Sequence, residues 1–338
     1  MTELVKKQNK YIWPGVLVVF LCLLAGSLSI SDITPLSVLS SIVAKEYPSV
    51  VNFGDVMFDR GVRNIIDNRN RDPFEYIKKD LAQLQDYDIF IANLEGPIVT
   101  MDRTECQNKA YNFQFADDTT DRLKSIGINM VSIANNHNFD CYRVGFESTK
   151  KNLLKAGIDY IGERSAEKSF LIKTVDGKNI AFVGIDQVTA PFPVSNFYPL
   201  IKKLKAENDY VVVNIHWGEE YKLVENSKQR DIAHKLIDSG VDVIFGHHPH
   251  VIEPVEVYKS KVIFYSLGNF VFDQDFGDTK KGLGAGVEFQ DDKKVFTLFP
   301  FDMKKFAPDL MKGEDLVKFC ENYLAKLEHE SCTFELKV

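Results

Sequence analysis

The chain has 338 residues, 45% of them hydrophobic and 26% charged, the composition of a globular protein with a sizeable core. Its formal charge of −7 argues against a nucleic-acid partner, which would call for a basic face. The length allows one large α/β domain or two smaller ones.

Lys6, Lys7 and Lys10 precede an apolar run from Tyr11 to Ile30. A membrane-spanning helix needs about 20 mostly apolar residues. The run therefore predicts a cytoplasmic tail over 1–10, a transmembrane anchor over 11–30, a linker over 31–47 and an extracytoplasmic domain over 48–338. Lysines before the run and none directly after it set that orientation, a single-pass protein of the cell membrane. A cleaved signal peptide is the alternative, because Ala25-Gly26-Ser27 offers small residues for processing. Either reading exports the domain. In an oxidising compartment Cys106, Cys141, Cys320 and Cys332 are disulfide candidates. Neighbouring positions favour Cys106–Cys141 and Cys320–Cys332; four reduced thiols are the alternative.

The first expected strand, Ser49–Phe53, ends at Gly54-Asp55. Asp72 reads as an N-cap, with Pro73 at the first helical position and apolar Ile77, Leu81 and Leu84 at helical spacing. A strand over 88–92 ends at Asn93-Leu94-Glu95, and a helix over 118–125 leads to a strand over 130–133. That strand runs into Ala134-Asn135-Asn136-His137, with Asp140 just beyond. A helix near 145–156, a strand at 158–161 and a hairpin around Asp176-Gly177 come next. The strand 210–215 ends at His216-Trp217-Gly218-Glu219-Glu220. A helix over 228–238 and a strand over 241–245 then enter Gly246-His247-His248-Pro249-His250. Strands at 255–258, 262–266, 286–290 and 294–300 and a helix over 314–327 close the domain.

Strands alternating with helices predict an α/β architecture with a largely parallel sheet. In such sheets ligands bind beyond the carboxyl ends of the strands. Five strand ends here carry Asp55, Glu95, Asn136-His137, His216 and the histidine turn, which holds three of the chain's seven histidines. Carboxylate, amide and imidazole together suit a divalent first-row ion such as Mn²⁺, Fe²⁺ or Zn²⁺. The predicted ligands are Asp55, Glu95, Asn136, His216, His248 and His250, for one or two ions. His137, oriented by Asp140, is the candidate catalytic acid, and Asn93, Asn135, His247 and Asn269 are expected in support. His234 and His329 are assigned structural roles.

The motif order of Asp55, Asn136-His137, His216 and Gly246–His250 resembles that of calcineurin-like metallophosphoesterases. It is more similar still to CapA/PgsA-type poly-γ-glutamate capsule biosynthesis proteins. Six segments between about Val50 and Phe272 carry that resemblance: Gly54-Asp55-Val56-Met57, Asn93-Leu94-Glu95-Gly96, Ala134–His137, His216-Trp217-Gly218, Gly246–His250 and Tyr265–Phe270. The resemblance implies an α/β metallophosphatase-like two-sheet αββα sandwich behind one transmembrane helix. It further implies a role in making or exporting an anionic capsule polymer alongside other capsule-synthesis membrane subunits. A metal-dependent extracellular phosphoesterase and a non-catalytic scaffold are the alternatives.

The chain departs from the phosphoesterase pattern at three points. Met57 stands where a histidine is expected, Asn93 and Glu95 stand where Gly-Asp is expected, and one extra residue separates Gly246 from His248-Pro249-His250. The alternating spacing favours His248 and His250 over His247. An anionic polymer would also need a basic groove, for which Arg60, Arg63, Arg69 and Arg71 are candidates; a solvated face is the plainer reading.

Overall fold

The computed structural model describes residues 47–337, apart from 81–83, 85 and 190–192. The expected anchor over 11–30 lies outside the described residues, as does nearly all of the linker. Among the described residues no helix is long and apolar enough to cross a membrane.

Strands β1 (Ser49–Val56), β2 (Ile89–Leu94), β3 (Met130–Ser132) and β4 (Asp159–Ile161) lie side by side and parallel. The chain then builds a second sheet from β5 (Phe170–Val175), β6 (Lys178–Asp186), β7 (Tyr210–His216), β8 (Val243–His247), β9 (Val255–Tyr258) and β10 (Lys261–Phe264). Its order is β5-β6-β7-β8-β10-β9. Strands β11 (Asn269–Val271), β12 (Lys281–Phe289), β13 (Lys293–Lys304), β14 (Ala307–Leu310) and β15 (Thr333–Lys337) return to the first sheet. That sheet has nine strands, ordered β14-β13-β12-β1-β2-β3-β4, with β11 paired to β1 and β15 to β13.

Successive side chains of a strand point to opposite faces, so a strand buried on both faces needs apolar residues at every position. β1 meets that demand at Val50, which faces the second sheet, and at Val51 and Phe53, which face helices; the buried Asn52 is satisfied instead by donating to Asn214 Oδ1 of β7. Ile89 and Ile91 of β2 join Phe182, Val212, Val243, Phe245 and Phe264 in the core between the sheets. On the outer face of the first sheet, Phe90, Ala92 and Val131 pack with Val62, Leu123, Phe146 and Leu153 of the helices. On the outer face of the second, Val183, Val213 and Ile244 pack with Ile201, Leu204, Ile232 and Leu236. The layering is helix, sheet, sheet, helix. The helix Gly313–Tyr323 instead contributes Cys320 to the core between the sheets.

Among the described residues, the expected helix from Asp72 does not form. Asp72 does accept from the backbone N–H of Phe74 at 3.0 Å, but the chain beyond it forms turns and a short 3-10 segment, Ile77–Lys79. The helix of this region is Arg60–Arg69, started by the Asp59 carboxylate at 2.7 Å from the Arg60 N–H and buried through Val62, Ile65 and Ile66. A helix over Phe197–Glu207 and strands β11, β14 and β15 were also not expected from the sequence. Disulfides join Cys106 to Cys141 and Cys320 to Cys332.

Candidate metal centre

Asp55 sits near the carboxyl end of β1, fully buried. β11 runs parallel to β1 there and places Asn269 opposite Asp55. This approach requires glycine at position 54, because a Cβ there would collide with the carbonyl of Gly268. The Asp55 N–H donates to that same carbonyl at 2.9 Å.

The Asp55 carboxylate faces the histidine turn. Oδ1 lies 3.4 Å from His247 Nδ1 and accepts from Asn93 Nδ2 at 2.8 Å. Oδ2 lies 3.2 Å from His250 Nδ1 and accepts from the His248 N–H at 3.2 Å. Burial pushes the Asp55 carboxyl up, but His247 and His250 outweigh it and hold the group well below the usual carboxylate range.

Glu95, just past β2, is fully buried, and neither of its carboxylate oxygens has a hydrogen-bond partner. Oε1 lies 3.7 Å from His250 Nε2 and 3.8 Å from His137 Nε2. Burial drives its pKa well above the usual carboxylate value. His250 is pushed up to about 9: burial opposes its charge, and Glu95 and Asp55 favour it. Burial takes His248 down to about 4 and His216 well below the ordinary imidazole value. Both are therefore neutral near pH 7, the form that binds metals.

The amides tie the ends of the two sheets together. His216 Nε2 lies 2.8 Å from Asn136 Oδ1, and its Nδ1 lies 3.3 Å from Asn93 Nδ2. Asn135 donates to Asn93 Oδ1 at 3.0 Å and to the Leu94 carbonyl at 2.9 Å. Asn269 Oδ1 stands 3.0 Å from His250 Nδ1, fixing that ring as an outer partner of a metal ligand would. His137 Nδ1 lies 2.8 Å from Asp140 Oδ2, and its ring stacks on Phe113 with centroids 4.1 Å apart. Burial lowers the His137 pKa.

A strap over 103–114 backs the His137–Asp140 turn. Gln107 donates its N–H to the Asp140 carbonyl at 2.7 Å and its Nε2 to the Phe139 carbonyl at 2.7 Å. The Phe113 N–H donates to Asp140 Oδ2 at 2.7 Å, Lys109 pairs with Asp140, and the Cys106–Cys141 disulfide closes the strap.

The predicted site residues thus lie together at the carboxyl ends of strands from both sheets. Ligand atoms of Asp55, Glu95 and His216 lie within 4.8 Å of one another, as do those of Glu220, His248 and His250. Glu220 went unassigned in the sequence, where its signal was its place beyond the His216 strand end. Met57 offers nothing to the pocket: it is buried in the helix-side core, and its sulfur accepts from the Asp59 N–H at 3.0 Å. Three of the four candidate arginines are engaged in ion pairs, Arg60 with Asp273, Arg63 with Asp118 and Arg71 with Glu75, and Arg69 is exposed at the end of its helix.

The donor set fits a divalent ion. Two buried carboxylate oxygens without partners, and an equally unpartnered buried His248 Nδ1, would cost folding free energy unless something else satisfied them.

Residues 49–274 match the model of a family described as "Bacterial capsule synthesis protein PGA_cap". The chain belongs to this family. It is 30% identical over 360 residues to the "PGA biosynthesis protein CapA" of Bacillus subtilis, covering 98% of this chain and 93% of that protein. It is 31% identical over 279 residues to the "Capsule biosynthesis protein CapA" of Bacillus anthracis, covering 75% of this chain and 67% of that one. Among solved structures, a hypothetical protein from Thermus thermophilus aligns with a TM-score of 0.44 at 18% identity, over 77% of this chain and 95% of its own. The family match spans every strand end that builds the pocket.

Proposed function

We propose that this chain is a membrane-anchored, extracytoplasmic component of poly-γ-glutamate capsule synthesis or export, and that it holds a divalent cation in the strand-end pocket of a metallophosphatase-like fold. The observation that carries the metal reading is Glu95, a buried carboxylate with no hydrogen-bond partner, facing His250 and His137 beside Asp55. Family membership supports the capsule role, which the two relatives carry in their names. Export is supported by the two disulfides, which suit an oxidising compartment. The lysine-flanked apolar run Tyr11–Ile30 supports the anchor, and with it contact with other membrane subunits.

Asp55, Glu95, Asn136, His216, His248 and His250 would hold the ion. Such an ion polarises a phosphoryl or carboxyl oxygen and lowers the pKa of a bound water to ~7. Asn93 and Asn269 orient ligands, and His247 braces Asp55. His137 presents Nε2 to the pocket while Asp140 holds Nδ1, the arrangement of an oriented general acid or base. That pair favours a second reading, a metal-dependent phosphoesterase or other hydrolase. The test is a strain comparison. His216→Ala is expected to abolish polymer and metal loading together, whereas unchanged polymer would overturn the metal's part in capsule synthesis. Mn²⁺-stimulated phosphodiester turnover that His137→Ala abolishes would favour the hydrolase.

A further inference from the structure

We propose that the Arg164 guanidinium, at the strand-end seam between the two sheets, anchors a carboxylate of the substrate chain beside the metal pocket. The inference rests on the capsule-polymer reading above, in which each unit of a γ-linked glutamate chain carries a free α-carboxylate.

Glycines set the seam. β4 ends at Ile161, and the chain turns at Gly162, whose φ of 101° suits a residue without a Cβ. A Cβ at Gly184 of β6 would stand 2.6 Å from the Gly162 Cα, and one at Gly162 would stand 2.5 Å from the Ala134 Cβ. The ends of β3, β4 and β6 therefore close on one another, and Arg164 follows directly. Its guanidinium carbon lies over the Phe139 ring, 4.0 Å from the centroid. Phe139 belongs to the turn that carries His137 and Asp140. Asn138, Glu163, Asp186 and Phe197 line the cleft beside Arg164. Asp186 is the register partner of His216, so the cleft adjoins the metal pocket along β6 and β7.

The charge of Arg164 has no counter-ion. The side chain makes no hydrogen bond or ion pair among the described residues, and its Nε is buried without a partner. The two nearby carboxylates are committed elsewhere. Glu163 pairs with Lys150 at 3.0 Å and accepts from the Tyr160 hydroxyl at 3.4 Å. Asp186 accepts from the N–H groups of Val188 and Thr189 at 2.9 and 3.2 Å, and from the Thr189 hydroxyl. Arg60, Arg63 and Arg71, by contrast, each have an acidic partner. Burial disfavours the Arg164 charge, and Asp186 offsets only part of that. A buried N–H without an acceptor costs folding free energy. A carboxylate entering the cleft supplies both acceptor and counter-charge, and the planar fork of arginine meets it with two parallel hydrogen bonds.

Calorimetric titration of the full chain with a short γ-linked glutamate oligomer, and with the same oligomer bearing α-carboxamides, tests the anchor. Arg164→Gln is expected to weaken binding of the carboxylate oligomer by about tenfold or more, and Arg164→Lys to recover part of it. Exchanging carboxylate for carboxamide should cost Arg164→Gln clearly less than it costs the wild type, because both changes remove the same interaction. Thermal melts run in parallel report folding, and Arg164→Lys keeps the charge and the stem if Arg164→Gln is destabilised. Losses that simply add, or an unchanged affinity in Arg164→Gln, overturn the anchor and leave the capsule reading standing. A wild type that does not bind the carboxylate oligomer overturns the polymer contact along with the anchor.

Discussion

His250 Nε2 stands 3.7 Å from Glu95 Oε1, and the two groups together hold a proton at neutral pH. Burial raises the Glu95 pKa well above the carboxylate range, while Glu95 and Asp55 lift His250 to about 9 against its own burial. A metal ligand must be deprotonated, so a cation entering this pocket displaces that proton. Mn²⁺ binding at pH 7 should release about one proton, and affinity should rise with pH until it levels near the His250 value of about 9. Calorimetry in two buffers of different ionisation enthalpy measures the release. A binding heat independent of buffer would contradict the pair's protonation.

Asp242 anchors a charge cluster that shares no residue with the metal pocket. It is buried, receives Lys261 Nζ at 2.6 Å and Lys205 Nζ at 2.8 Å, and lies 3.6 Å from the buried Lys294 Nζ. Burial pushes the Asp242 pKa up, and Lys261 and Lys205 more than reverse that. Burial lowers Lys294 to about 8. Asp242→Ala strips the lysines of their counter-charge and the Val211 N–H of its acceptor. The expected destabilisation is about 3–5 kcal/mol, read from urea unfolding. Adding Lys294→Met should recover part of it; a double variant no better than the single one would show that Lys294 does not depend on Asp242.

The Cys106–Cys141 disulfide closes a separation of 35 residues and fixes the strap behind His137. Loop-closure entropy over that length gives a stabilisation of about 4 kcal/mol at most. The Cys106→Ser, Cys141→Ser double variant should melt earlier and lose amide protection over 107–113, where N–H groups bond Asp140. Hydrogen exchange separates the two effects: lower stability with unchanged protection over 107–113 would show that the strap holds without the bridge.

The strand ends were legible in the sequence because each parallel strand is a mostly apolar run, rich in β-branched and aromatic residues, that stops at a cluster of polar residues. Val50 to Phe53 before Asp55, and Val243 to Phe245 before His247, show this without any tertiary information. The helix Arg60–Arg69 was not legible, since Val62, Ile65 and Ile66 lie among arginines and asparagines that mask the helical period. Asp72 misled for a different reason. It caps a turn, and a capping signal does not distinguish a turn from the start of a helix. Glu220 belongs to a third class: its neighbours His248 and His250 lie on a different loop, and only the pairing of β7 with β8 brings the two loops together.

Glu253 gives the fold a pH dependence separate from the metal pocket. Its side chain is fully buried; Oε2 accepts from Gln229 Nε2 at 2.7 Å and Oε1 has no partner. Burial raises its pKa from the ordinary value of 4.5 to about 8; the Gln229 hydrogen bond opposes the rise, and Glu225 and Glu219 add to it. Between those two values the folded chain keeps a proton that the unfolded chain has lost, so unfolding releases it. Stability from this group is therefore fully present below the unfolded value and falls as pH rises towards 8, by about 1.4 kcal/mol per pH unit at most. Glu253→Gln keeps the volume and an acceptor for Gln229 but cannot ionise. The variant should match the wild type near pH ~5 and exceed it increasingly up to pH ~8, as read from denaturant unfolding across that range. A stability difference that stays constant with pH would show that Glu253 does not titrate between those limits.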